Sequence, residues 1–281
     1  MQLRKAERKQ AKIKLAIQGG SGSGKTMSAL LIACGLTGDW SKIALIDTEN
    51  GSADLYAHLG DFNVLNLEPP FTPESYIEAI DTCIGAAMEV IIIDSTSHCW
   101  DYLLQYHASL QGNSFTNWAK VTPRQKVFVD SILQCKCHVI ATMRTKQDYV
   151  LNLKDGKHVP EKVGLKAIQR DGVDYEFTLV FDLDLNHHCK ASKDRTSLFI
   201  GKPEFVITSD TGATILEWCN AGTTIEEVKE LISTSKSVEA LNEIYRKYPD
   251  MYSSLEKDFK EKKANLINLP LKIQSNGISN H

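Results

Sequence analysis

The sequence predicts an α/β fold: a mostly parallel sheet with helices on both faces, an antiparallel extension, and a small C-terminal helical appendage. Three observations carry that prediction. Short aliphatic runs alternate with helical segments through the first two thirds of the 281 residues. The runs are apolar throughout, as expected of strands covered on both faces. A period-two stretch follows over residues 175–183, and helix-capping signals take over from residue 223.

Taken in order, residues 13–17 read as a buried strand, followed by a glycine-rich turn and an apolar helix over 26–36. Residues 43–46 form a second aliphatic strand. Thr72-Pro73 has the form of a helix cap with proline at the first helical position, opening a helix to about residue 88. Residues 90–93 are a third strand, and a helix over 100–110 follows. Thr122-Pro123 repeats the cap signal before a helix ending near residue 134, and 139–142 is the next strand. Residues 143–172 are long, polar and basic, without periodicity, and read as a loop. Tyr175, Phe177, Leu179, Phe181 and Leu183 then share one face of an extended segment that suits an antiparallel addition to the sheet. Residues 188–192 and 199–207 suit further strands. Thr224 with Glu227, and Ser253 with Glu256, have the capping-box spacing. Val238, Leu241, Ile244 and Tyr245 make an apolar helical stripe. The expected division is a basic arm over 1–12, a core over 13–222, a helical appendage over 223–268 and a tail over 269–281.

Composition excludes several classes. A 42% hydrophobic and 24% charged content is that of a globular chain, and a net charge of −3 is not that of a basic chromatin protein. No apolar run approaches a membrane span, so no membrane partner is expected. Residues 1–14 are charged with no apolar region behind them, unlike a secretory leader; the expected location is the cytoplasm. Seven cysteines, an odd number, fit a reducing compartment. Cys135, Cys137 and His138, His98 with Cys99, and His187, His188 and Cys189 lack the paired short spacings of zinc ligands. They read as buried thiols, and no zinc is expected.

The strongest motif is Gly19-Gly20-Ser21-Gly22-Ser23-Gly24-Lys25-Thr26, a full G-x-x-x-x-G-K-[ST] between a strand and a helix. Glycines let consecutive N–H groups turn inward on phosphate oxygens, and the helix N-terminus adds partial positive charge. Lys25 would neutralise the β- and γ-phosphates of ATP and Thr26 would ligate Mg²⁺. Asp94 closes the strand over 90–93 and is the candidate second magnesium carboxylate; Asp47 competes but reads better as a helix-capping aspartate at a strand end. Glu49, just beyond the strand over 43–46, is placed to polarise a water for attack on the γ-phosphate.

With those residues in view, Ile46-Asp47-Thr48-Glu49, then Asp54, Tyr56-Ala57 and Leu59-Gly60, resembles the segment after the second core strand of RecA-type recombinases. Residues 90–95 resemble that family's magnesium strand, and 140–146 its next strand and the start of its second DNA loop. The resemblance is collinear over about residues 13–207, and is strongest to phage-encoded RecA-like ATPases of the single-strand-annealing, Sak-type class. It implies a RecA-like core, ATP hydrolysis with Glu49 as base, a homo-oligomeric ring or filament, and single-stranded DNA as partner. It further implies that Lys193 and Arg195 reach the ATP of the adjacent subunit; strand alternation puts the two on one face. One departure concerns the γ-phosphate sensor, a glutamine in that family, whose position Thr142 occupies here.

Two basic patches stand out, the first a DNA candidate and the second, an N-terminal arm, a candidate for DNA or for docking on a neighbouring subunit. Arg144, Lys146, Lys154, Lys157, Lys162, Lys166 and Arg170 stand against Asp148, Asp155 and Glu161, with Tyr149 and His158 available for stacking. Arg4, Lys5, Arg8, Lys9, Lys12 and Lys14 stand against Glu7, and Arg4, Arg8 and Lys12 share a helix face. The alternatives are a hexameric helicase or packaging-type motor on the same core, a monomeric P-loop kinase, for which no lid is evident, and a nucleotide-switched interaction protein.

Overall fold

The computed structural model describes residues 10–154 and 157–267, with side chains at all of these except 147–165 and 250. The chain divides into two compact units, one spanning Lys12–Cys219 and the other built mainly from residues Asn220 onward.

The larger unit is a sheet of nine strands among the described residues. These are β1 (Lys14–Gly19), β2 (Ile43–Asp47), β3 (Asn63–Asn66), β4 (Val90–Asp94), β5 (His138–Lys154), β6 (Lys157–Ala167), β7 (Leu179–Leu183), β8 (His188–Asp194) and β9 (Phe205–Val206). Their order is β3-β2-β4-β5-β1-β7-β8-β9, with β6 paired to β5 alone. All pairings from β3 across to β7 are parallel. β2 and β4 are buried at every residue because helices cover both faces, which is why their sequences do not alternate. On one face Leu15, Ile17, Leu45, Ile92 and Phe181 pack with Leu30 and Ala33 of α1 (Lys25–Thr37) and Ile215 of α5 (Ser209–Asn220). On the other, Ile46, Ile91, Ile93, Val139 and Ala141 meet α2 (Pro73–Gly85), α3 (Ser97–Ser109) and α4 (Ser114–Gln134) through Tyr76, Ile80, Leu103, Phe128 and Ile132. The expected α/β class holds.

Four local expectations change. Pro123 does not open a helix: α4 begins nine residues earlier, where Asn113 accepts the Phe115 N–H at 2.8 Å. Asn117, Val121, Gln125, Phe128 and Ile132 form one buried stripe that runs past the proline, and burying that stripe outweighs the lost backbone bond. The expected loop over 143–172 is mostly a two-stranded antiparallel ribbon, β5 running on past the sheet and turning back as β6. A ribbon paired to no third strand needs no apolar face, so its sequence carries no period. The strand expected over 175–183 starts at Leu179, leaving Tyr175 69% exposed, and β7 lies parallel to β1. The antiparallel extension therefore begins one strand later, with β8 on β7 and the two-residue β9 on β8. Edge strand β3 has only half-buried and exposed residues and gave no sequence signal.

The smaller unit packs α6 (Ile225–Thr234), α7 (Val238–Lys247) and α8 (Tyr252–Ile267) around Val228, Ile232, Leu241, Tyr248, Leu255 and Phe259. Thr224 and Glu227 form both bonds of a capping box, at 3.0 and 2.9 Å. Ser253 lies inside α8 and caps nothing, because the chain reaches that helix through a helical turn at Pro249–Met251. Among the described residues no helix is long and apolar enough to cross a membrane.

Candidate functional site

The functional residues gather at the carboxyl edge of the parallel strands, and β5 organises them. It lies between β1 and β4, so its register pairs Ile17 with Thr142 and Gly19 with Arg144 on one side, and Ile93 with Ala141 on the other. The chain leaving β1 turns directly into α1 through residues 19–24. Gly22 and Gly24 have φ of 80° and 86°, a left-handed backbone that side-chain-bearing residues rarely adopt. A Cβ on Gly24 would also lie 2.9 Å from His187 Nδ1, because the β7–β8 turn leans on the loop and His187 bonds the Ser23 carbonyl at 3.1 Å. Inside the loop, Ser23 Oγ is buried and has no partner. Lys25 Nζ folds back to donate to the Gly20 carbonyl at 2.9 Å. Burial draws the Lys25 ammonium below its usual range, while the carboxylates of Asp94 and Glu49 oppose that shift.

Asp94 is 3% exposed and accepts two hydroxyl hydrogen bonds. Thr26 Oγ1 donates to its Oδ2 at 2.6 Å and Thr142 Oγ1 to its Oδ1 at 2.5 Å. Burial raises the Asp94 carboxyl above the ordinary range, and the two hydroxyls pull it back. A threonine hydroxyl against a buried carboxylate, at the mouth of a loop with inward-turned N–H groups, is a hard-oxygen donor set that fits Mg²⁺ beside a phosphate. Asp47, by contrast, accepts the N–H groups of Glu49 and Ala53 at 2.6 and 2.9 Å, which shapes the loop after β2.

That loop delivers Glu49. Its carboxylate is gripped by the Arg144 guanidinium, Nε to Oε1 at 3.1 Å and the second nitrogen on Oε2. His98 Nε2 stands 3.9 Å from Oε1. His98 is itself fixed by Thr48 Oγ1 at 2.8 Å and by stacking on Phe71, while the Thr48 N–H donates to the Asp94 carbonyl at 2.8 Å. Glu49 and Asp94 are thus held by one network joining the ends of β2 and β4.

A protein-family model described as an AAA domain matches residues 11–211. The chain belongs to this AAA-domain family. No curated protein matches it. In this AAA-family P-loop ATPase, the glycine-rich loop, Lys25 and Thr26 stand together at the end of β1, and Thr26 reaches Asp94 at the end of β4.

Within this AAA core, Lys193 and Arg195 stand away from their own loop. Lys193 pairs with Val180, three residues back along β7 from Leu183, which pairs with Gly19; that is about 10 Å at strand spacing. Both cations lie on one face and both donate to the Tyr175 carbonyl. Of the DNA candidates, Arg144 is paired with Glu49. Lys146 and Lys166 face each other in register at the root of the ribbon, where Lys166 also pairs with Asp171 at 2.8 Å, and Arg170 is exposed. The side chains of Lys154, Lys157, Lys162, Tyr149 and His158 lie outside the described residues, as do Arg4, Lys5, Arg8 and Lys9. Lys14 does not belong to a basic arm: it is 6% exposed in β1 and donates to the carbonyls of Cys135 and Cys137.

Sequence reasoning missed Arg144 and His98 as members of the site. A signal for Arg144 existed, since Thr142 and Arg144 are two apart on one strand and therefore share a face. His98 had none, because its place depends on the separate turn after β4.

Proposed function

We propose that this ATPase is a RecA-like recombination or annealing protein that binds single-stranded DNA and completes its active site between subunits of a ring or filament. ATP binds with its phosphates in residues 19–26, and Lys25 lies against the terminal pair. Mg²⁺ at Thr26 and Asp94 would screen the phosphate charge. Glu49 takes a proton from water as the water oxygen bonds to the γ-phosphorus; the bond from that phosphorus to the β–γ bridging oxygen breaks and ADP leaves with the electron pair. Lys193 and Arg195 of a neighbouring subunit offset the charge that develops on the transferred group.

The observation that carries this reading is that one strand serves both ends of the mechanism. β5 contributes Thr142 and Arg144 to the nucleotide site and continues without interruption into the basic ribbon. The distance of Lys193 and Arg195 from their own loop supports a role toward a second copy. The test is specific ATPase activity, titrated first with protein and then with single-stranded DNA; it should rise in both titrations. A flat response to protein would remove the shared site, and a flat response to DNA would remove the ribbon from its role. The Lys193/Arg195 pair suits a DNA motor on the same core equally well, and directional movement along a strand would identify that alternative.

A further inference from the structure

We propose that Arg144 is the positioning residue that makes hydrolysis answer to the γ-phosphate: it holds Glu49 until a γ-phosphate replaces that carboxylate as its anion. This rests on the reading of Glu49 as the base.

The guanidinium fork engages both oxygens of Glu49, and His98 stands by one of them. With both oxygens bonded to the fork, the carboxylate cannot turn a free oxygen onto a water until the fork opens. As long as the fork is closed, the base is restrained. Arg144 is also near enough to Lys25 for the two cations to oppose each other, so it lies within electrostatic range of the phosphates that Lys25 would meet. A γ-phosphate carries more charge than a carboxylate and presents the same planar-fork geometry to arginine, so it competes for the same guanidinium. Lysine could supply the charge but not the fork.

Thr142 leaves this role open. Its hydroxyl is committed to Asp94 at 2.5 Å, so the nearest polar residue further along the site face of β5 is Arg144. The Arg144 backbone is pinned on both sides: its N–H donates to Ser97 Oγ at 2.9 Å, and its carbonyl accepts the Ile168 N–H at 2.7 Å. The next residue, Thr145, pairs with Ala167 as the first rung of the ribbon. The side chain is 41% exposed, so it has room to exchange partners while its backbone stays fixed to the ribbon's root. Another guanidinium–carboxylate fork, Arg124 on Glu74 at 2.9 and 2.6 Å, sits on the α2–α4 surface with Arg124 over Tyr102 and Tyr106, and serves as an internal control.

The test is equilibrium binding of a fluorescent non-hydrolysable ATP analogue and of the matching ADP to the full chain. The parent should prefer the triphosphate. Arg144→Ala should lose about tenfold of that preference with ADP affinity unchanged, Arg144→Lys should recover part of it, and Arg124→Ala should leave it intact. Glu49→Gln should strengthen triphosphate binding by freeing the fork, and the gain should vanish when Arg144→Ala is added, which a purely structural arginine would not produce. A parent with no triphosphate preference, an Arg144→Ala protein that keeps the parent's preference, or additive behaviour of the two substitutions overturns the proposal. The readout needs no turnover. If Glu49→Gln still hydrolyses ATP at the parent's rate, Glu49 as base is lost, while the Arg144 result stands or falls separately on binding.

Discussion

Lys14 and Lys25 are two lysines drawn below their usual range by burial, one at the amino end of β1 and the other just beyond its carboxyl end. Burial takes Lys14 to about 8. Two of its three N–H groups donate to backbone carbonyls at 2.7 and 2.6 Å, and at 6% exposure the side chain is shut away from any arriving ligand. Lys25 makes one hydrogen bond to its own loop and lies within electrostatic range of Asp94 and Glu49, and the same loop holds a Ser23 hydroxyl with no partner. A buried cation is therefore not a site by virtue of burial. What separates the two ends of the strand is unspent bonding capacity: the amino end is a structural joint, and under the proposed function the carboxyl end keeps groups for a phosphate to satisfy.

Substitutions should break this contrast in opposite directions. The largest effect is expected from Lys25→Ala, which should lower ATP turnover by about a hundredfold or more while moving unfolding stability by less than about 1 kcal/mol. Glu49→Gln should match that loss of turnover and keep nucleotide binding. Lys14→Ala should do the reverse: it orphans two carbonyls, so denaturant melts should show a loss of about 2–4 kcal/mol, with the nucleotide affinity of the folded protein unchanged. A Lys14→Ala protein of parental stability, or a Lys25→Ala protein of parental turnover, would dissolve the distinction.

The amino end also carries a pH signature. His138 is 2% exposed, its Nδ1 accepts the Ile13 N–H at 3.2 Å, and burial lowers its pKa from 6.5 to about 3. The unfolded chain takes up a proton below pH 6.5 that the folded chain refuses until about pH 3, so stability falls as pH falls through that window. Between pH 7 and 5 the loss is about 2 kcal/mol, and His138→Asn should remove that part of the slope in urea melts at the two pH values. The smallest effect is expected from Thr142→Val, which keeps the shape and removes one donor to Asp94. Turnover should drop about threefold to tenfold, read at saturating Mg²⁺.

The legible parts of the sequence were those fixed by local chemistry. Residues 19–26 announce themselves because glycine, lysine and threonine are each required at set spacing, and Thr72-Pro73 and Thr224 with Glu227 cap helices through bonds within four residues. Buried strands were legible because nothing polar interrupts them. The illegible parts depend on partners far away in the chain. Pro123 sits inside a helix because α4 buries a stripe against α2 and the sheet, which no local pattern reveals. The ribbon of β5 and β6 was read as a loop because its pairing is with itself. Asp47 and Asp94 both end aliphatic strands and lie in register with each other, and only the strand order, which puts β4 rather than β2 beside β5, decides which of them meets Thr26. Arg144 was grouped with the DNA cations by composition, and its place opposite Glu49 emerges only when β5 is set between β1 and β4.

Behind the phosphate loop, α1 has no room to recoil. A Cβ on Gly35 would fall 1.9 Å from the Ser209 carbonyl, and one on Gly212 would fall 2.2 Å from that of Ile32, so α1 and the start of α5 touch backbone to backbone. A helix braced in this way acts as an anvil. Any adjustment to an arriving ligand must be made by side chains in front of the loop, because the ground beneath it does not give.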